Sequence, residues 1–437
     1  MIRIQNAKDI EESFYSGRIN VSGAQDIAQG IIDEVIAHGD SALKEYSKKF
    51  DVCTPEKFEI ASSDLKAAAE ELKSGNPDLY DSLCYSRDLA LRFAKKQKES
   101  FNDFEEELEP GIITGQRTIP VERAGVYVPA GRFPLLSTVV MTIMPAVAAG
   151  VKEIIMCTPP RKHPKDESLP YADKGIMAAA YLCGANRVFA TGGAQAIAAM
   201  AYGTQSIPKV DVIVGPGNKF VAAAKKIVYG AVGIDMVAGP TEVFIIADSS
   251  ANPAWIAADM LAQAEHDVIA QAVLATPDEK LAQAVAGEIE KQLAELPTRQ
   301  TAQASIADTS RIIVTDSLEQ AAQIANRKAP EHLELAMEAG PEREKIESLV
   351  ENFGSLFVGH GSAEVFGDYA AGLNHTLPTS GSARYTGGLS VRVFLKTVTT
   401  LKTVPGKSGY IKSAQAAGHL GDAEGLAGHA KAARIRL

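Results

Sequence analysis

The chain is poor in the residues from which specialised proteins are built. Only four of its 437 residues are cysteine, at positions 53, 84, 157 and 183. They are scattered, no C-x-x-C pair occurs, and a chain this long builds its own core. A disulfide framework and a thiolate metal cage are therefore excluded, and a reducing, cytoplasmic setting is expected. Cationic blocks are missing too. Lys and Arg number 44 against 54 Asp and Glu, a net charge of −10 with both signs mixed along the chain. That balance argues against nucleic acid and an anionic membrane surface as partners. Apolar runs are short: even "VVMTIMPAVAAGV" falls short of a bilayer span. The opening "MIRIQNAKDIEESF" lacks the charged-then-apolar pattern of a signal segment. Histidine is scarce, at eight residues. A metal, if bound, must draw on imidazole, carboxylate and amide groups, and the neighbours of each histidine decide its reading.

What is present is a soluble, globular composition, 46% hydrophobic and 22% charged, long enough for more than one domain. Residues 1–110 read as mainly helical. "AQDIAQGIIDEVIAHGDSALKEYSKKFD" and "DLKAAAEELKSG" space their apolar residues at three and four. "KKQKESFNDFEEELEPG" reads as a solvated surface segment. From residue 111 short apolar strands alternate with helices. "GVYVP", "KEIIMCTPP", "RVFAT" and "VDVIVGPG" form one series of strands; "TEVFIIAD", "QAVLATP", "SRIIVTD" and "GSLFVG" form a second. The alternation predicts parallel sheets covered by helices, in two α/β modules. After residue 366 it stops. "GLNHTLPTSGSARYTGGLS" reads as loop, and a tail follows with helical character and no sheet of its own. Such a tail must pack on its own body or on a partner subunit.

Four histidines, His38, His163, His360 and His419, sit beside glycines or in loops and read as structural. The other four have an amide or carboxylate within a few residues: His266 in "QAEHD", His332 in "APEHLEL", His375 in "GDYAAGLNH" and His429 in "EGLAGH". Gln263 and His266 share one face at the C-terminal end of a helix. Taken alone that spacing equally describes a capped helix end, and Asp368 with His375 is also weak alone; four clusters in one chain point to a metal site. Glu331 and His332 are adjacent, and Pro330 is expected to start a helix there. A carboxylate at a helix start is one reading. A carboxylate and an imidazole presented together for proton transfer is the other. Two glycine-bearing turns, "TGGAQAIAA" and "VGPGNKFVAAAKK", leave backbone N–H groups free at helix starts, which suits a phosphate. Phe220 stands where the dinucleotide fingerprint has glycine, so that fingerprint is incomplete.

Together, "SKKFD", "YVPAG", "GGAQAIAA", "VGPGNKFV", "DMVAGPTE", "MLAQAEHD", "APEHLEL", "GDYAAGLNHTLPTSGSAR" and "EGLAGH" resemble the histidinol dehydrogenase family in this order, over nearly the whole chain. The resemblance implies two Rossmann-like parallel-sheet domains plus small N- and C-terminal extensions. Residues 24–126 with 241–366 would form the first domain and 127–240 the second. Residues 1–23 with 367–390 would form a small extension, and 391–437 a tail reaching the partner subunit of a homodimer. It also implies Zn2+ on Gln263, His266, Asp368 and His429, and NAD contacts at Tyr127, Gln195 and Asn218. Substrate contacts would come from Ser137, Thr241, His375 and Glu424, beside the zinc set. Glu331 would activate water and His332 would be the general base. The implied reaction is the oxidation of L-histidinol to L-histidine through the aldehyde with two NAD in turn.

Three departures bear on the substrate. Thr241 stands where the family usually has Ser, Arg132 and Phe133 replace smaller residues, and "ARYTGGLSVRVFLKT" leans toward relatives acting on other alcohols. An Arg near Ser137 suits a sulfonate, so a paralogue oxidising 2,3-dihydroxypropane-1-sulfonate is the alternative. A non-enzymatic metal or nucleotide binder would have no need of Glu331 next to His332.

Overall fold

A computed structural model describes residues 1–16, 23–130 and 134–437. Arg132 and Phe133, singled out above, lie outside the described residues. Two six-stranded sheets dominate. The first runs, in spatial order, Arg3–Asn6, Arg311–Val314, Gln271–Thr276, Glu242–Ala247, His332–Ala336 and Ser355–Val358. All of its neighbours pair in parallel. The second runs Glu59–Ile60, Arg187–Ala190, Glu153–Thr158, Arg123–Tyr127, Val212–Val214 and Gly233–Ile234, parallel except for its first, antiparallel strand. Both are built by the same doubly wound rule. The chain lays one central strand, adds two on one side, then crosses back to the other side. The inner strands are continuous apolar runs, "VFIIA" and "IIMC", because helices cover both faces. Four apolar clusters result, one on each face of each sheet.

The two α/β modules read from the alternation are there, but the division of the chain between them differs. Residues 24–126 do not join 241–366. Ala28, Ile32, Val35 and Leu43 are buried with Phe189 and Ile213 on one face of the second sheet. Leu65, Ala68, Leu83, Ala90 and Ala94 are buried with Val126 and Met156 on its other face. Ile60 pairs with Val188, stitching this stretch to the second sheet directly. Each helix follows the sheet that buries its apolar stripe, and periodicity alone does not say which sheet that is. Nor is there a separate extension. Arg3–Asn6 is the edge strand of the first sheet, and Leu389 and Phe394 belong to a cluster of the second.

Two further expectations change. Phe104–Glu109, read as a surface segment, is an exposed strand, and the tail holds a strand, Leu395–Thr403. Both pair antiparallel with Ile112–Pro120. Beyond it the helices Ser408–Ala423 and Ala427–Arg434 pack on each other. Pro330 does not start a helix either. The helix Leu318–Lys328 ends there, with Ala329 at φ 53°, and His332 opens a strand. Proline after a helix C-terminus is a stop as readily as a start. The four cysteines are free thiols. No described helix is long and apolar enough to cross a membrane.

Glycine at 215 is required by the backbone. Its φ is +114°, and a Cβ there would stand 2.1 Å from the carbonyl oxygen of Tyr127. Gly287 lies exposed within the helix Glu279–Glu295, with nothing within 4 Å of its would-be Cβ. Gly215→Ala is expected to cost about 2 kcal/mol or more. Gly287→Ala is expected to add about 0.5–1 kcal/mol. Urea unfolding midpoints measure both, and equal effects at the two positions would contradict this account.

Candidate active site

The sheets present opposite edges to one site. Tyr127, Gln195 and Asn218 follow the C-terminal ends of second-sheet strands or open the helices after them. Thr241 and Glu331 precede the strands Glu242–Ala247 and His332–Ala336, at the N-terminal edge of the first sheet. The rule that doubly wound sheets bind ligands at their carboxyl edge describes the second sheet and not the first.

A cavity of about 170 Å³ lies between these edges, lined by Ser137, Thr241, His266, Glu331, His332, Asp368 and His375, among others. Seven residues singled out from sequence thus converge, from segments up to 238 positions apart (375 minus 137). Glu331 is buried. Its Oε2 accepts from the Thr241 hydroxyl at 2.6 Å and from the Glu242 backbone N–H at 3.0 Å. Burial nevertheless pushes this carboxyl up to about 7, against the opposing pull of His332 and the two donors. His332 Nδ1 stands 3.2 Å from the carbonyl oxygen of Glu242 and 3.8 Å from Glu331 Oε2. An Nδ1–H donated to that carbonyl leaves Nε2 as the atom that gains and loses a proton. Nε2 is 3.5 Å from Asp368 Oδ1, and both atoms are buried without a hydrogen-bond partner among the described residues. Burial lowers the His332 pKa, but Glu331, Asp368 and Glu364 outweigh it and hold the imidazole well above its usual range. Asp368 is held low: burial raises it, and the neighbouring His332, with His375 and His266, overcomes that. His375 is pushed down by burial, and its Nε2 is also unpartnered.

Gln263 is buried behind this cavity and does not line it. Its Nε2 donates to Thr241 Oγ1 at 2.5 Å. Exchanging the amide atoms would let Nε2 donate to both Glu364 oxygens, at 2.9 and 3.1 Å. That exchange presumes an ionised Glu364, whereas burial holds Glu364 well above the usual carboxyl range. A protonated Glu364 would instead act as a donor toward the Gln263 oxygen. The unexchanged orientation then gives one continuous chain of donors, Glu364 to Gln263 to Thr241 to Glu331.

A second cavity, of about 860 Å³, is lined by Tyr127, Gln195 and Asn218 together, and shares Leu135 and His266 with the first. The Tyr127 hydroxyl accepts from the Gly193 N–H at 3.0 Å. Gln195 is buried with Nε2 unpartnered. Asn218 caps a helix, accepting from the N–H of Phe220 at 3.0 Å and of Val221 at 3.2 Å. Glu424 and His429 are exposed on the tail and line neither cavity.

Within one chain no cluster of three or more His, Cys, Asp or Glu side chains, among the described residues, is closed enough to hold an ion. The donor set nevertheless fits one in part. His266 and Asp368 face the cavity, and orphaned buried donors cluster around them. Gln263 fits only by trading its Glu364 partner, and His429 fits only from elsewhere.

Three buried acids escaped the sequence reading. Glu242 pairs with Lys328 at 2.9 Å and accepts from the Ser380 N–H at 2.8 Å. Glu334 accepts from the Glu364 N–H at 2.9 Å. Glu334 interrupts a run of buried strand residues and Glu242 opens one, and that anomaly was a usable signal. Glu364, in "AEVFGDY", carried none.

Residues 16–437 match the family model described as histidinol dehydrogenase. The histidinol dehydrogenase of Sulfurimonas denitrificans is 41% identical, over 98% of this chain and 96% of that protein. That of Thermus thermophilus is 44% identical, over 94% of each. The crystal structure of histidinol dehydrogenase from Elizabethkingia anophelis superposes with a TM-score of 0.89 at 35% identity, covering 100% of this chain and 98% of that one. The chain belongs to the histidinol dehydrogenase family of oxidoreductases.

Proposed function

We propose that the chain oxidises L-histidinol to L-histidine through the aldehyde, in two successive dehydrogenations with NAD. The observation that carries this reading is the pairing of Glu331 and His332 in one cavity, with His332 Nε2 free of protein donors. The names of the relatives favour histidinol over the sulfonated diol. His332 Nε2 takes the hydroxyl proton in the first step, and Asp368 holds the resulting imidazolium. Glu331 takes a proton from the water that adds to the aldehyde. Its position is held through Oε2 by Thr241 and Glu242. Ser137 and His375 line the same cavity and orient the substrate. NAD supplies the hydride acceptor, and Tyr127, Gln195 and Asn218 line the cavity of a size to receive it. Zinc supplies a fixed positive charge that orients the amino alcohol. Gln263, His266 and Asp368 would hold it, with His429 of the partner subunit as fourth ligand and Glu424 of the partner subunit on the substrate. The exposure of both tail residues supports a homodimer with shared sites.

NADH formation from histidinol, with dihydroxypropanesulfonate alongside, tests the substrate; preference for the sulfonate would sink the assignment. Glu331→Gln and His332→Asn are each expected to lower kcat about 100- to 10,000-fold. Native turnover in either removes its role.

Because Glu331 must be ionised to act, with its carboxyl at about 7, and His332 must be neutral to take a proton, with its imidazole held above the usual range, kcat/KM should fall as pH drops through about 7 and keep rising above it. A flat profile from about pH 6 to about pH 9 contradicts the assignment.

Deleting residues 420–437 removes Glu424 and His429. The truncated chain should lose bound zinc, measured by metal analysis, and its activity with it. Full metal content in that chain would disprove the ligand set.

A further inference from the structure

The large cavity holds a charged pair that the reaction above does not use. Asp51 closes the helix Asp40–Phe50, and its N–H donates to the Ser47 carbonyl at 2.9 Å. Its carboxyl lines the cavity with Tyr127, Gln195 and Asn218. Among the described residues its buried Oδ2 has no hydrogen-bond partner. An orphaned carboxylate oxygen in a buried position costs free energy unless a donor arrives. Burial pushes the carboxyl up to about 6, with Ser47 and Arg161 opposing. It is therefore an ionised acceptor at neutral pH.

Its surroundings specify the donor. Ile27, Phe50 and Val52 are 50%, 61% and 59% exposed, yet all three line this cavity. Apolar side chains gathered in a cleft and open to solvent suit a flat aromatic base. Arg161, on the same wall, spends one guanidinium nitrogen on the Ala130 carbonyl. Its remaining donors suit a diphosphate. A base, a diphosphate and a group carrying neighbouring hydroxyls are the parts of a dinucleotide. A carboxylate accepts two O–H bonds from the vicinal diol of a ribose, and it repels a phosphate placed on that ribose.

We propose that Asp51 receives the adenosine ribose diol of the dinucleotide and makes this chain select NAD over its 2′-phosphorylated form. The inference rests on the NAD-dependent reading above and adds to it the residue that sets cofactor choice.

The test measures KM and kcat with NAD and with NADP for the wild-type chain, Asp51→Asn and Asp51→Ala. The asparagine variant keeps the shape and removes the charge. Both variants should raise KM for NAD about tenfold or more, as expected for one lost charged hydrogen bond. KM for histidinol should stay within about twofold, and the NAD-to-NADP ratio of kcat/KM should fall at least about tenfold. A general loss of structure would not move that ratio. If the variants do not fold, competition by ADP-ribose and by its 2′-phosphate on the wild-type chain decides the same point. ADP-ribose should bind at least about tenfold more tightly. Unchanged KM for NAD in both variants, or equal binding of the two competitors, overturns the role of Asp51 while leaving the dehydrogenase reading intact. A wild-type chain that uses neither nucleotide overturns both.

Discussion

A single buried carboxylate ties the site together. Glu331 lies before one central strand of the first sheet, and its Oε2 is gripped by Thr241 and by the backbone of Glu242, which open the other. Those two strands flank the point where the winding of the sheet reverses. The bond therefore ties the N-terminal ends of these two strands together, and it does so with an ionisable group out of water. Such a group is stable only while its donors stay in place. Two backbone contacts keep them there. The Glu331 carbonyl accepts from Ser355, and the Thr241 carbonyl accepts from Gln271, so each neighbour in the sheet locks one end. His332 inherits its place from the same grip, since its Nδ1 faces the carbonyl of Glu242.

This explains why the chemistry sits on the less usual edge. Second-sheet strands deliver glycine turns and helix starts, which offer backbone N–H groups. The N-terminal edge of the first sheet delivers a carboxylate just before a strand and an imidazole at its first residue. Each edge provides what the other lacks, and the cavities form where they meet.

How much of this was legible in the sequence follows from what periodicity encodes. The strands and helices of both series read correctly because their apolar runs are long and bounded by Gly, Pro and Asp. Partnership was not legible, because Ile32 or Leu65 has the same spacing whichever sheet buries it. The strand Leu395–Thr403 was missed because its residues alternate weakly and stay mostly exposed. "EHLEL" was missed because Pro330 signals both a helix start and a stop. Site residues from Ser137 to His375 were legible through their motifs, and the structure brings seven of them to one cavity. Gln263 ended up behind the wall, and Glu424 and His429 away from it, because sequence order carries no direction for a side chain.

The two cavities share Leu135 and His266 as a common partition. One lodging is small and lined by ionisable groups, and the other is large and mostly apolar. An exchange in the larger chamber therefore does not require the smaller one to empty. Under the proposed two-step oxidation, the compound would wait in place while the first partner departs and the second arrives, and a reactive half-way product would be kept from wandering off.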